Sequence, residues 1–516
     1  MNHIRMKAVS SIILSLLLTI TANAETKAKK KAVPSQTKTS AGAPLGFPSA
    51  KAAQDARNTS DLNRAIQAYR FFYPTVSGMA IIKGNTDSGL VENKVFGVLD
   101  TQPKQTILTA NSDTPYGPIP MNLSVGPMVI EMPPGPLICV VMDVNQRWVA
   151  DMGLPGPDAG KGGKHLILPL DYKGEVPAGY HAWKATSNRL IVGIRSLPVN
   201  GDVNGAIEKI KTIKVHPLNK VADWTEPKWV NLTGTVQDTT PLKWENNIKY
   251  WEVLHEVVDS EPVYSGYRNY YGELAALGIE KGKPFNPDAR MKRILEQAAK
   301  TALNQMKAEA FADQRPDRVV WPDRKWEWAA LRFEDGNFDN PNGYTDLVAR
   351  DKWFYQAIGA SPAMFKRDET AGSLYWLGLR DSKDTYLDGG KTYRLVVPQR
   401  VPGKLFWSVT VYDAETRSQV QTDQNKAALR SMFELKDIAA EAQAELYFGP
   451  KAPAGKENQW IKTLPGKGWF AYFRIYGPEK AAFDGTWKPG DFEEVKTPLA
   501  EKARTLPVAD AETANP

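Results

Sequence analysis

Trp469-Phe470-Ala471-Tyr472-Phe473-Arg474-Ile475-Tyr476 is the stretch from which the fold class follows. Successive side chains of a strand point to opposite faces. Trp469, Ala471, Phe473 and Ile475 therefore share one face, wholly apolar, which must meet a core. Phe470, Tyr472, Arg474 and Tyr476 share the other, aromatic with one cation among the rings. The same period of two recurs upstream at 374–379, 392–397 and 405–412, so residues 321–495 read as an antiparallel β-sandwich domain. Within 405–412, Ser408, Thr410 and Tyr412 form a face that is not purely apolar.

Toward the N-terminus the period changes. Trp244, Ile248, Trp251, Leu254 and Val258 recur at helical spacing, as do Met291, Ile294, Leu295, Ala298, Ala302 and Met306, which makes 243–320 a helical connector. Asn286-Pro287-Asp288 opens its longer helix with a cap, a proline at the first position and an acid in the first turn. Before it, 58–242 reads as a β-rich domain, with short apolar strands at 128–131, 137–143 and 190–195 set between Pro and Gly clusters. A small helix near 203–213 decorates it. Ser60-Asp61 caps a short helix through Ala65, Ile66 and Tyr69 that ends before Pro74. The fold class is thus β-rich α+β: an N-terminal β-rich domain and a C-terminal antiparallel β-sandwich joined by a helical connector.

The ends carry a different message. Arg5 and Lys7, an apolar run from Ile12 to Ile20 and Ala22-Asn23-Ala24 make a signal peptide over 1–24, cut before Glu25, and hence a periplasmic or secreted protein. No later stretch approaches the roughly 18 uninterrupted apolar residues of a membrane span. The net charge of +7 is concentrated at the front: Arg5 and Lys7 leave with the signal, 25–42 carry +4, and 43–516 come to +1. A basic body of the kind that seeks nucleic acid is therefore excluded. The Lys, Ala, Ser, Thr and Pro mixture over 25–57 reads as a disordered tether, and 496–516 as a flexible tail. Cys139 is the single cysteine, so no intramolecular disulfide forms.

Most familiar catalytic signatures fail. Gly160-Lys161-Gly162-Gly163-Lys164-His165 has Asp158 where a phosphate loop begins with Gly, and His165 where it holds magnesium with Ser or Thr. His255-Glu256 begins like a zinc-protease helix, but Asp259 occupies the second His position. Gly359-Ala360-Ser361-Pro362-Ala363 lacks the final Gly of a nucleophile elbow. One partial match concerns calcium: Asp335, Asn337, Asp339 and Asp346 fall at positions one, three, five and twelve of a calcium loop, with Asn340 for the turn Gly and Asp for the closing Glu. A plain polar loop is the alternative. No other cofactor is evident.

Longer strings add a resemblance. Asn111-Ser112-Asp113-Thr114-Pro115-Tyr116, followed by the strand 127–131, resembles Domain of Unknown Function 1254. Asp388-Gly389-Gly390-Lys391-Thr392-Tyr393-Arg394-Leu395, Phe406-Trp407-Ser408-Val409-Thr410-Val411-Tyr412-Asp413, Thr416-Arg417-Ser418, Gly455-Lys456-Glu457-Asn458-Gln459-Trp460 and Arg474-Ile475-Tyr476-Gly477-Pro478 resemble Domain of Unknown Function 1214. The two occur together in exported bacterial proteins, and the resemblance spans roughly residues 60–495. It implies an architecture and no reaction.

A site follows from the strand faces. If 405–412 and 469–476 are neighbours and Arg394 points the same way, then Arg394, Tyr412, Arg474 and Tyr476 make an aromatic floor with fixed cations, suited to a sugar ring, an aromatic acid or a carboxylated small molecule. The alternative is an outward sandwich face, partly covered by the helical connector, with Arg474 paired to a structural carboxylate. Asp113, in a turn between Asn111 and Thr114 and close to Tyr116, supplies an acid for general base catalysis or metal binding, or else an Asx-turn. The expected function is a hydrolase or lyase acting on a polar or carboxylated small molecule or glycan in an inter-domain cleft. The alternative is a non-catalytic glycan- or protein-binding module, and a homo-oligomer is compatible with either.

Overall fold

The computed structural model describes residues 46–495 apart from 101, 220, 221, 223, 333, 334 and 439–442. The expected signal peptide, residues 25–45 of the expected tether and the expected tail lie outside the described residues. The chain divides into a short unit ending at Asp55 and a long one from Ala56. Helix α1, Ala50–Asp87, begins in the first, so the segment expected as tether is already helical at residue 50.

Two pairs of sheets dominate the long unit. The N-terminal half contributes β1 Tyr116–Asn122, β2 Met128–Met132, β3 Leu137–Asp143, β4 Trp148–Gly153, β5 Gly163–Leu168, β6 Tyr180–Lys184, β7 Arg189–Ser196, helix α2 Val203–Lys211 and β8 Lys214–Pro217. They form one sheet of order β1-β7-β3-β4 and a second of order β8-β2-β5-β6. Leu190, Val192 and Ile194 of β7 pack with Cys139 of β3, Ile130 of β2 and Ile210 of α2 in the core between them. The middle of the chain folds into helices α3 Lys249–Ser260, α4 Arg268–Ala276, α5 Ala289–Phe311 and α6 Leu347–Gln356. Asp288 is itself the cap of α5, accepting the Met291 amide at 2.7 Å, so Pro287 stands outside the first turn.

The C-terminal sandwich has β9 Trp326–Trp328, β10 Ser373–Gly378, β11 Tyr393–Pro398, β12 Gly403–Asp413, β13 Ala428–Arg430, β14 Gln443–Gly449, β15 Trp460–Lys462, β16 Trp469–Pro478 and β17 Glu493–Glu494. An inner sheet runs β9-β10-β16-β12-β13 and an outer one β15-β14-β11-β17. Trp469, Ala471, Phe473 and Ile475 fill the space between these sheets together with Leu395 and Leu446. The other face of β16 is equally buried. Phe470 and Tyr472 join a separate cluster with Tyr73 of α1, Trp251 of α3, Ala302 of α5, Trp353 of α6 and, from the N-terminal half, Met142 and Ile191. The C-terminal inner sheet and the N-terminal β1-β7-β3-β4 sheet thus each have a second buried face, and the helices pack against those faces.

Helix α1 corrects the expectation of a break before Pro74, because it runs through that proline to Asp87. A proline inside a helix removes a backbone bond and crowds the preceding turn. Here tertiary donors serve the carbonyls nearby: the Tyr250 hydroxyl bonds Tyr69 O at 2.7 Å, Arg350 Nη1 bonds Phe71 O at 2.6 Å, and Gln146 Nε2 bonds Pro74 O at 3.0 Å. Burial of this stretch against both halves outweighs the local signal. Among the described residues no helix is long and apolar enough to cross a membrane.

Candidate functional site

Antiparallel pairing places Ser408 of β12 and Tyr375 of β10 opposite Arg474 of β16, and Thr410 opposite Tyr472. Strands 405–412 and 469–476 are therefore neighbours. Their non-apolar faces form one surface, and the segment before β1 lies on it. Thr109 N donates to Arg417 O at 2.8 Å, Ile107 N to Ser418 Oγ at 3.0 Å, and the Tyr412 hydroxyl to Ala110 O at 2.7 Å. Asn111 then turns the chain: its Oδ1 accepts the Asp113 amide at 2.8 Å and the Thr114 amide at 3.2 Å, and its Nδ2 donates to the Tyr116 hydroxyl. That turn lowers Asp113 onto the strand face.

Asp113 is fully buried. Its Oδ2 accepts from Ser408 Oγ and from the Tyr476 hydroxyl, both at 2.9 Å, while Oδ1 has no hydrogen-bond partner. Arg474, 2% exposed, donates from Nη1 to Thr410 Oγ1 and from Nη2 to Thr109 O, each at 3.0 Å, and its Nε is buried without a partner. Its guanidinium carbon lies 5.0–5.6 Å from the ring centroids of Tyr472, Tyr375 and Tyr412. Burial works against the Arg474 charge, but the oxygens of Tyr412 and Tyr476 and the Asp113 carboxylate outweigh it and hold its pKa above the ordinary value. Burial, reinforced by Asp113, pushes the Tyr476 phenol well above its usual range, so that it remains a neutral donor.

Beside this cluster is a cavity of about 180 Å³. It is walled by Ile81 and Ile82 of α1, Met142 of β3, Ile191 and Gly193 of β7, and Trp353 of α6. Its polar lining includes Asn111, Tyr116, Arg195, Tyr375, Tyr472 and Arg474, and no Asp or Glu lines it. Arg195 sits on β7 opposite Tyr116, and the groups that act on its charge include Tyr476, Tyr375, Tyr116 and Arg474. Burial raises the Tyr116 phenol, with Arg195 pulling the other way.

Asn111, Asp113, Thr114, Tyr116, Tyr412, Arg474 and Tyr476 thus lie together, although Asp113 does not line the cavity. Arg394 does not join them. It sits on β11 in the outer sheet, more than a third exposed and paired with Glu445 at 3.3 Å and Glu493 at 2.8 Å. The expected calcium set is also dispersed among other contacts. Asp335 Oδ1 accepts the Asn337 amide, Asn337 Oδ1 accepts Trp148 N at 3.0 Å, and Asp339 Oδ1 accepts Thr345 Oγ1 at 3.0 Å. Asp346 caps α6 through Ala349 N and pairs with Arg315 at 3.0 Å. Among the described residues no group of three or more His, Cys, Asp or Glu side chains is arranged to hold a metal ion. Arg195 and Tyr375 were missed by sequence reasoning. The available signal was a cation inside the strand, on the face that runs Arg189, Ile191, Gly193, Arg195.

Comparison with known proteins fits this division of labour. The family model described as Protein of unknown function (DUF1254) matches residues 94–217, and Protein of unknown function (DUF1214) matches 372–480. Arg195 falls in the first segment and Arg474 in the second, so the cavity is built where the two meet. The crystal structure of the VPA0106 protein from Vibrio parahaemolyticus shares the fold, with a TM-score of 0.54 at 19% identity over 84% of this chain and 100% of that one. An uncharacterized protein from Burkholderia cenocepacia gives a TM-score of 0.37 at 10% identity over 86% and 97%, too distant to inform the fold. No curated protein matches.

Proposed function

We propose that the chain is a binding protein that captures a small molecule, largely apolar with one polar end, in the cavity between its two sandwiches. The observation that carries this is the lining itself: apolar walls converging on two arginines, with no lining acid. An apolar cavity of about 150 Å³ takes up benzene, so about 180 Å³ suits one ring or a short chain with a head group. A glycan fits poorly, because each sugar hydroxyl buried unpaired against Ile, Met or Trp costs about 1–3 kcal/mol. Gly193 supports the same conclusion. Glycine inside a strand weakens it and often marks a close approach of ligand, and a Cβ added there meets only Val140 Cγ1, at 3.7 Å.

The catalytic alternative, a hydrolase or lyase with Asp113 as base, would require an acid that reaches the ligand. Asp113 Oδ2 is already engaged by Ser408 and Tyr476, and the residue lies behind the lining. In the binding role it offsets the charge of Arg474. Arg5, Lys7 and the Ala22-Asn23-Ala24 pattern support capture outside the cytoplasm.

The test is to equilibrate the purified chain with a small-metabolite extract, remove unbound material by ultrafiltration and identify what is retained by native mass spectrometry. Gly193→Leu should fill the cavity and abolish retention while leaving the circular dichroism spectrum unchanged. A retained molecule that is indifferent to Gly193→Leu, or no retained molecule, would refute the assignment.

A further inference from the structure

Two arginines line the cavity, and they are not equivalent. Arg474 is committed: Nη1 and Nη2 hold Thr410 Oγ1 and Thr109 O, and Nε, though unpartnered, is sealed from the cavity with essentially no accessible surface. Arg195 is the opposite case. Among the described residues no hydrogen bond or ion pair engages its guanidinium, and the groups interacting with it are three tyrosines and Arg474. It also lines the cavity while retaining accessible surface. A guanidinium in an apolar interior without an acceptor is a costly arrangement unless something supplies one.

The charge balance narrows what that is. Arg195 and Arg474 bring two positive charges, and Asp113, acting on Arg474, brings one negative. One positive charge is left over, on the arginine with the free fork. We propose, building on the small-molecule reading above, that the ligand is a monocarboxylate with an apolar body of about one ring, and that Arg195 is the seat of its carboxylate. A guanidinium fork matches a carboxylate with two parallel N–H···O bonds. Tyr116 and Tyr375 flank that seat, and the walls from Ile81, Met142, Ile191 and Trp353 take the body. A dianion would leave one negative charge buried and uncompensated, and a neutral molecule would leave the charge of Arg195 uncompensated. Arg474 and Asp113 are then positioning residues that fix the floor.

The test uses three probes of similar size on the whole chain: benzoate, benzyl alcohol and phthalate, titrated by calorimetry against wild type, Arg195→Met and Arg195→Lys. Hydrogen bonds to a charged group correspond to about a tenfold change in affinity or more. Benzoate should therefore bind wild type at least about tenfold tighter than either benzyl alcohol or phthalate. Arg195→Met should remove the preference for benzoate over benzyl alcohol while leaving benzyl alcohol binding nearly unchanged, and Arg195→Lys should retain only part of it. Equal binding of benzoate and benzyl alcohol to wild type overturns the carboxylate seat but leaves the binding cavity standing. A benzoate preference that survives in Arg195→Met overturns the assignment to Arg195, and tighter phthalate binding overturns the monoanion. Failure of all three probes to bind overturns both this inference and the binding function beneath it. Should Arg195→Met not fold, the wild-type probe ranking and Arg195→Lys still decide the matter.

Discussion

Asp113→Asn removes one charge from the buried floor of the cavity and almost no volume. In the native protein Asp113 Oδ2 accepts two hydrogen bonds of 2.9 Å, from Ser408 and Tyr476. Bonds to a charged acceptor contribute about 1.5–3 kcal/mol and neutral ones about 0.5–1.5 kcal/mol, so neutralisation costs about 1 kcal/mol per bond and about 2 kcal/mol for the two. The Asn amide also brings donors to the place of Oδ1, where no partner waits, and a buried unpaired donor costs about 1–3 kcal/mol. Arg474 loses, in addition, the carboxylate that helps hold its charge. The expected destabilisation is about 3–5 kcal/mol. In urea unfolding followed by tryptophan fluorescence, with a slope of at least about 3 kcal/mol per molar for a chain of this size, the midpoint should fall by about 1 M. Tyr476→Phe gives an internal check, since it should cost about 1 kcal/mol less when combined with Asp113→Asn than in wild type, because part of its bond has already been lost. An unchanged midpoint for Asp113→Asn, or strict additivity of the two substitutions, would refute the account of Asp113 as a charged acceptor.

Two further outcomes follow from groups that do not themselves line the cavity. Burial lifts the Asp151 carboxyl from about 3.8 to about 7 in the folded chain, against the opposing bonds from Ser361 and Ala363. A carboxyl whose folded pKa is raised contributes stability that is full below its unfolded value and lost as pH rises through the folded one. Asp151→Asn should therefore compare more favourably with wild type at pH 8 than at pH 4, and equal differences at both pH values in thermal melts would contradict this. Millimolar calcium should leave the melting temperature unchanged, because Asp346 is held by Arg315 and the α6 amide while Asp335, Asn337 and Asp339 serve separate local bonds. A calcium-dependent rise would restore the metal loop, since a ligand binding only the folded state stabilises it by mass action.

Much of the C-terminal sandwich was legible because strand alternation is local. Residues 469–476 display their two faces with no knowledge of what lies across from them, and the core face they predict is the core face found. What covers the second face was legible only in part: the helical connector, which supplies α3 and α5, could be offered as a partial cover, but α1, α6 and the N-terminal sheet join it from positions remote in sequence. Arg394 and Arg474 show the limit clearly. Both stand inside strands, flanked by an aromatic and an aliphatic residue, in Tyr393-Arg394-Leu395 and Phe473-Arg474-Ile475. Periodicity cannot say that one strand enters the outer sheet, where Glu445 and Glu493 arrive from partner strands, and the other the inner sheet beneath Asp113. The calcium spacing is ambiguous for a related reason: an Asp before a helix satisfies the twelfth position of a metal loop and equally the N-cap of α6, and Asp346 is the cap of α6.

Arg195 carries the lesson furthest. A charge on the Ile191-Gly193-Arg195 face shows that this face is not plain core, but not whether the charge is met by an acid, by water or by a ligand. That depends on which acids the fold brings near it. The acid that reaches this floor, Asp113, is directed by the Asn111 turn onto Ser408 and Tyr476 and balances Arg474 instead. Arg195 therefore keeps its fork free because a neighbouring arginine has the carboxylate. The first segment matched by a family model brings Arg195 together with Asp113, and the second brings Arg474 with Ser408 and Tyr476. Where they meet, Asp113 is engaged by the second segment and Arg195 is left without an acid, so the negative end proposed for the ligand follows from the joined pair and from neither segment alone.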